Sequence, residues 1–142
     1  LVAGASEKQL PRDLPVHVEA LGTLKTEEDM ASAYAAADVF VAPSTEDNLP
    51  NTVLESLACS TPVVAFNIGG MPDMIDHQQN GYLAEPRSAE SLADGIGFVL
   101  QHKEPQVLRA AARAKVINHY TPKHQVDAYL TLYRELLAVD SK

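Results

Sequence analysis

The 142-residue chain is short of cysteine, of positive charge and of long apolar runs, and each shortage excludes something. Its single cysteine, Cys59, cannot close an internal disulfide, which fits a reducing compartment. Cys59 lies in an apolar helical run with no histidine nearby, so a small core residue is expected there rather than a nucleophile. The 11 basic side chains against 19 acidic ones leave a net charge of −8. That balance argues against a general surface for nucleic acid or anionic membrane, but it leaves room for a small anion held by backbone amides. No apolar run approaches the ~20 residues that cross a bilayer. The start, LVAGASEKQLPRDL, has no charged leader ahead of a long apolar region, so no signal peptide is expected. It also lacks an initiating Met and opens in mid-pattern, and the expectation is a piece of a longer protein. Internal repeats, low-complexity segments and long linkers are absent too.

What is present is globular: 46% of the residues are hydrophobic, and the length suits one domain, residues 1–142, with its own core. LVAG reads as a short buried strand and VHVEALG (Val16 to Gly22) as a second. Thr26 with Asp29 three residues on is a capping-box-like start to a helix in which Met30, Tyr34 and Ala37 recur at helical spacing. DVFVAP and PVVAF are further strands, separated by one short helix in NTVLESLACS. GGMPDMI opens another short helix, and GYLA is a small strand. SAESLADGIGFVLQ is capped by Ser88 and puts Leu92, Ile96, Val99 and Leu100 on one face. PQVLRAAARAKVINHY follows. Thr121 and Pro122 start a last helix in the favoured N-cap and first-turn order, with Val126, Tyr129, Leu130, Tyr133, Leu136 and Leu137 at a 3.6-residue period.

Strands alternating with helices imply a parallel sheet with right-handed crossovers, and strands that are nearly all apolar imply that both faces are covered. The predicted fold is a doubly wound, Rossmann-like α/β sheet, with ligands expected outside the carboxyl ends of the strands. The loops there are residues 4–6, 22–26, 43–50 and 67–72.

One of those loops, TEDNLPNTVLE (Thr45 to Glu55), holds three carboxylates around a helix start. The plain reading is that Asp47 and Asn48 cap the helix, where acids also gain roughly 0.3–1 kcal/mol from the dipole. The other reading uses the unpaired N–H groups of a helix start to hold an anion. Leu49, Asn51 and Thr52 can supply them, whereas Pro50 cannot. Glu55, a lone carboxylate on a mostly apolar helix, is expected to be desolvated unless something hydrogen-bonds it. The vicinal hydroxyls of a ribose are suitable donors. A phosphate on the amides, flanked by sugars on carboxylates, describes a nucleoside diphosphate sugar.

The stretch VFVAPSTEDNLPNTVLESLACSTPVVAFNIGGMPDMIDHQQNGYLA resembles the donor-binding half of the family 4, or group 1, retaining glycosyltransferases, enzymes of the GT-B fold with two Rossmann-like domains facing a cleft. The family pattern is a Glu, seven residues, a second Glu ahead of a small-residue helix, a G-x-P-V-V strand and a GG-x-P-E turn. The resemblance runs from LVAG to YLTLYRELL and makes the chain the C-terminal half of a GT-B fold. It implies that Glu55 binds the nucleotide ribose and that Asp47, in the place of the first Glu, contacts the donor sugar as the catalytic carboxylate. Glu46, one position off, could take that place only with a reshaped loop. Asn48, Leu49, Pro50 and Asn51 replace a glycine-rich turn whose amides approach the donor, leaving Leu49, Asn51 and Thr52 as amide donors. Ser60 replaces a common Gly without expected cost, and Asp73 a common Glu. In LGTLKTEEDM, the backbone of Thr23 and Leu24 is expected at the nucleobase, and Lys25 reads either as an exposed loop lysine, the plainer reading, or as a contact to a phosphate. Lys25 alone among residues 13–86 is Lys or Arg.

The resemblance further implies transfer of a sugar from a nucleoside diphosphate sugar to an acceptor hydroxyl, in glycan, lipid or polysaccharide synthesis, with retention of configuration. It implies no metal and no other cofactor. None of His17, His77, His102, His119 and His124 has ligand spacing to a second His or Cys, and His77 reads as a surface residue. Gly69 and Gly70 read equally as a structural turn or a ligand contact. The expected partners are the donor and an acceptor domain of the same protein lying outside this chain, with no nucleic acid and no membrane span. The expected location is the cytoplasm, including the inner membrane face if the acceptor domain reaches it. Without that domain, and without an upstream Arg and Lys to neutralise the diphosphate, the chain by itself is expected to be inactive. Residues 27–55 carry seven acids and no base. The alternatives are a GT-B nucleotide-sugar epimerase and a non-catalytic α/β ligand-binding or interaction module.

Overall fold

The computed structural model describes residues 1–139 except 12 and 14. These residues divide into two compact units, Leu1–Ala33 and the chain from Tyr34 onward. In the first, β1 (Val2–Ala3) pairs in parallel with β2 (Ala20–Gly22). The predicted strand over residues 16–22 is cut to its last three residues. Val16 is 65% exposed, and the two-residue partner, which reaches back only to the Glu19 carbonyl, offers residues 16–18 no ladder. Helix α1 (Glu27–Ala36) begins as expected, with the Asp29 N–H donating to Thr26 Oγ1 at 3.1 Å.

The second unit carries a parallel sheet in the order β3 (Phe40–Ala42), β4 (Val63–Phe66), β5 (Gly81–Ala84). The central strand is buried on both faces, and its alternation sorts the core. Val63 and Ala65 point into a cluster with Val53 and Leu57 of α2 (Asn51–Ala58) and with Met71 and Met74 of α3 (Met71–Met74). Val64 points the other way, toward Val99 of α4 (Ala89–Leu100). Helix α5 (Pro105–His119) contributes Ala112 to one cluster and Leu108 to the other. The fold is therefore the expected α/β type, a parallel sheet with helices on both faces.

Beneath the loop after α3, Asn80 is buried and satisfied. Its Oδ1 accepts from the Asp76 N–H at 3.0 Å and its Nδ2 donates to the Met74 carbonyl at 3.2 Å. Lys115 on α5 reaches the same corner, with Nζ 2.8 Å from Asp76 Oδ1. His77 is exposed, as expected, but it also works locally, since Nδ1 accepts from the Leu83 N–H at 3.1 Å.

Two helical faces differ from expectation. On α4, Leu92, Ile96 and Val99 pack inward, whereas Leu100 is 56% exposed. On α6 (Pro122–Val139) the periodic set is exposed, Val126 and Tyr133 at 55% each. Periodicity identifies a face that can be buried; whether it is depends on what lies against it. Among the described residues no helix is long and apolar enough to cross a membrane.

Candidate functional site

The loop between β3 and α2 leaves the carboxyl end of β3, the edge at which an open α/β sheet takes its ligands. Its helix start is bare. The N-cap residue of α2 is Pro50, in extended conformation, and no side chain bonds to the helix amides. The reading of Asp47 and Asn48 as caps is thereby overturned: the rigid Pro50 occupies the capping position and holds both side chains upstream of the first turn. The Val53 N–H bonds to the Pro50 carbonyl at 3.1 Å. No described group accepts from the N–H of Leu49, Asn51 or Thr52. Asp47 is half-buried, whereas Glu46, Asn48, Leu49, Asn51 and Thr52 are exposed.

The turn after β4 braces this loop. The Gly70 N–H donates to the Asn48 carbonyl at 2.6 Å. Gly69 has φ 49°, and a Cβ there would overlap the Asp47 carbonyl, as one at Gly70 would overlap that of Asn48. The paired glycines thus have a structural reason, a backbone-on-backbone contact that sets the height of the acidic loop.

Glu55 faces solvent on α2, so it is not desolvated, and it has the hydrogen-bond donor that the sequence reading named as the alternative. The apolar residues of the helix, Val53 and Leu57, point into the core, and position 55 falls on the opposite side. Its carboxylate is still held from below, with the Tyr34 phenol 3.3 Å from Oε2. Tyr34 is 8% exposed. Burial, and after it the negative charge of Glu55, push its hydroxyl up to about 12.

The far end of α2 closes in a Schellman pattern, with Ser60 N–H to Leu57 C=O and Thr61 N–H to Ser56 C=O, each at 3.0 Å. Ser60 sits at φ 64°, so the exchange of Gly for Ser expected to be free places a β-carbon in the left-handed region and carries strain. Cys59 is the partly exposed C-cap, not a core residue.

Thr23, Leu24 and Lys25 lie in the loop after β2, with Thr23 and Lys25 exposed. They belong to the first unit and the acidic loop to the second. The structure adds residues that no motif announced. A cavity of about 430 Å³ beside the loop is lined by Leu49, Asp73, Lys115, His119 and Tyr120, bringing basic side chains from the end of α5 near a stretch that has none of its own. A sequence separation of more than sixty residues hides that proximity; the helical period of α5 was the available hint. A second cavity, about 560 Å³, opens at the amino edge of the sheet around Asp38, Pro62 and Arg109. It lies at the wrong edge for the loop.

The site is thus an uncapped helix start between two carboxylates, Asp47 and the Tyr34-bonded Glu55, at the carboxyl edge of a parallel sheet. The profile of the family Glycosyl transferases group 1 matches residues 1–102, and the chain belongs to that family. It is 32% identical over 111 residues to a D-inositol 3-phosphate glycosyltransferase of Saccharomonospora viridis, covering 78% of this chain and 26% of that protein. It is 38% identical over 96 residues to the sulfoquinovosyl transferase SQD2 of Arabidopsis thaliana, covering 65% and 19%. Among solved structures, the sucrose-phosphate synthase of Thermosynechococcus elongatus superposes with a TM-score of 0.75 at 29% identity, over 85% of this chain and 30% of that one. Anabaena HepE in complex with UDP shares the fold, with a TM-score of 0.70 at 24% identity, over 81% and 32%. The chain thus spans only about a quarter of the length of the curated relatives it matches.

Proposed function

We propose that this chain is the donor-binding part of a retaining, family 4 glycosyltransferase of the GT-B fold, which moves a sugar from a nucleoside diphosphate sugar to an acceptor hydroxyl. The observation that carries the reading is the open start of α2, with unpaired amides at Leu49, Asn51 and Thr52 between Asp47 and Glu55. In this reading the pyrophosphate lies against those amides. Glu55 accepts from the ribose hydroxyls, and Asp47, with Glu46 and Asn48 beside it, contacts the donor sugar. Thr23 and Leu24 meet the base through their backbone, and Lys25 meets a phosphate. As the glycosidic bond breaks, charge collects on the departing diphosphate, and helix amides fixed in advance stabilise it without reorganising. The reaction is proposed to proceed in the cytoplasm without a bound metal, with the acceptor held by another part of the same protein.

Support comes from family membership and from HepE, whose solved complexes hold UDP and UDP-glucose. Membership in a transferase family also disfavours a non-catalytic interaction module. A thermal-shift panel of UDP-, GDP- and ADP-sugars tests the reading. At least one should raise the melting temperature in proportion to the logarithm of its concentration, and a flat response to all three contradicts the proposal.

A further inference from the structure

We infer that Tyr34 is a positioning residue for the donor site, its phenol holding the Glu55 carboxylate in the orientation that receives the ribose. The inference rests on the donor reading above and extends it to a residue that no motif marks.

The geometry is a short relay through the core. Ser56, next to Glu55 on α2, is fully buried, and its hydroxyl donates to the Thr61 carbonyl at 3.1 Å. The Thr61 hydroxyl, also fully buried, donates to the Tyr34 carbonyl at 2.7 Å. The Tyr34 ring stands edge-on against Phe40 of β3, with centroids 5.3 Å apart and planes at 87°. The end of α1, the start of β3 and the middle of α2 are thus tied to one another around this side chain. The phenol projects from that anchored ring to Glu55 Oε2 at 3.3 Å.

An exposed glutamate on a helix ordinarily samples several rotamers, and fixing it on binding costs conformational entropy. A buried donor on one oxygen removes part of that cost beforehand. The bond engages one lone pair of Oε2. Oε1 and the second lone pair of Oε2 remain for two vicinal hydroxyls. Tyr34 is also neutral at physiological pH, so it orients the carboxylate without cancelling its charge.

The test is a double-mutant cycle on the 142-residue chain with Tyr34→Phe, Glu55→Gln and the pair. Phe keeps the ring and its contact with Phe40, and thermal melting checks that each variant folds. The probes are UDP, GDP and ADP, with the tightest binder carried forward beside its 2′-deoxy form in calorimetry. Tyr34→Phe should raise the dissociation constant roughly three- to tenfold and reduce the preference for ribose over deoxyribose. In the Glu55→Gln background it should change neither. If Glu55→Gln weakens binding but Tyr34→Phe leaves the constant and the preference unchanged, or adds its full effect in both backgrounds, the positioning role is overturned and the donor reading stands. A Tyr34→Phe chain that does not fold overturns the role in the same way, by making the hydroxyl structural. Wild-type affinity in Glu55→Gln, or no binding of any of the three nucleotides, overturns the donor reading and the inference with it.

Discussion

Helices α2 and α4 both follow a strand of the same sheet, yet they begin in opposite ways. At α4 the Ser88 side chain accepts from the Ser91 N–H at 3.1 Å, while the Ser91 hydroxyl accepts from the Glu85 N–H at 2.9 Å. That start is closed by its own residues. At α2 the capping position is Pro50, which has no side-chain donor or acceptor, and the amides of Asn51 and Thr52 find no acceptor among the described residues. A bare helix start forgoes about 1 kcal/mol of capping stabilisation. The contrast shows where the fold leaves hydrogen-bonding capacity unspent, and that is the place proposed for the diphosphate of the donor.

The largest expected effect comes from the brace beneath the open start. Gly69→Ala puts a β-carbon into the Asp47 carbonyl at a positive φ, and roughly 3 kcal/mol of stability should be lost, measured by urea unfolding. Nucleotide binding should fall with it, because the acidic loop must move. Next is the pH dependence of Tyr34. Its hydroxyl ionises near 10.0 when exposed and at about 12 in the fold, so the unfolded chain gives up the proton first. The contribution is complete below pH 10, and on the order of 2 kcal/mol is lost as pH rises from 10 to 12. Tyr34→Phe should flatten that part of the stability profile.

The comparison itself is sharpened by cap removal. Ser88→Ala should cost about 1 kcal/mol and leave nucleotide affinity untouched. Asn48→Ala, at the uncapped helix, should change stability by less than about 0.5 kcal/mol. Equal costs at the two sites would mean that α2 is capped in solution after all. A smaller gain is expected at the far end of α2. Ser60→Gly relieves the left-handed β-carbon and should stabilise the chain by about 0.5 kcal/mol net of the added backbone entropy.

Local chemistry was legible in the sequence wherever the signal and its partner are neighbours. Thr26 and Ser88 answer groups within a few residues, and the strands PVVAF and GYLA announce themselves by composition. Helices α4 and α6 were legible too, because their apolar period is long enough to count. What could not be read depends on distant contacts. The bare start of α2 looks capped in one dimension, since Asp47 and Asn48 are good caps, and only the backbone path through Pro50 shows that they do not reach the amides. The exposure of Glu55 follows from which side of α2 faces the sheet. Its partner Tyr34 is 21 residues away, and Lys115 and His119 are farther still. The apolar faces of α4 and α6 show the limit from the other direction, because a period says that a stripe exists and not what covers it.

Amide chemical shifts test the central claim most directly. On titrating the chain with the nucleotide that stabilises it, the account predicts the largest perturbations at the N–H groups of Leu49, Asn51 and Thr52, with Ala89 and Glu90 at the closed start of α4 unmoved. Perturbations centred anywhere else, with the α2 amides silent at saturation, would contradict it.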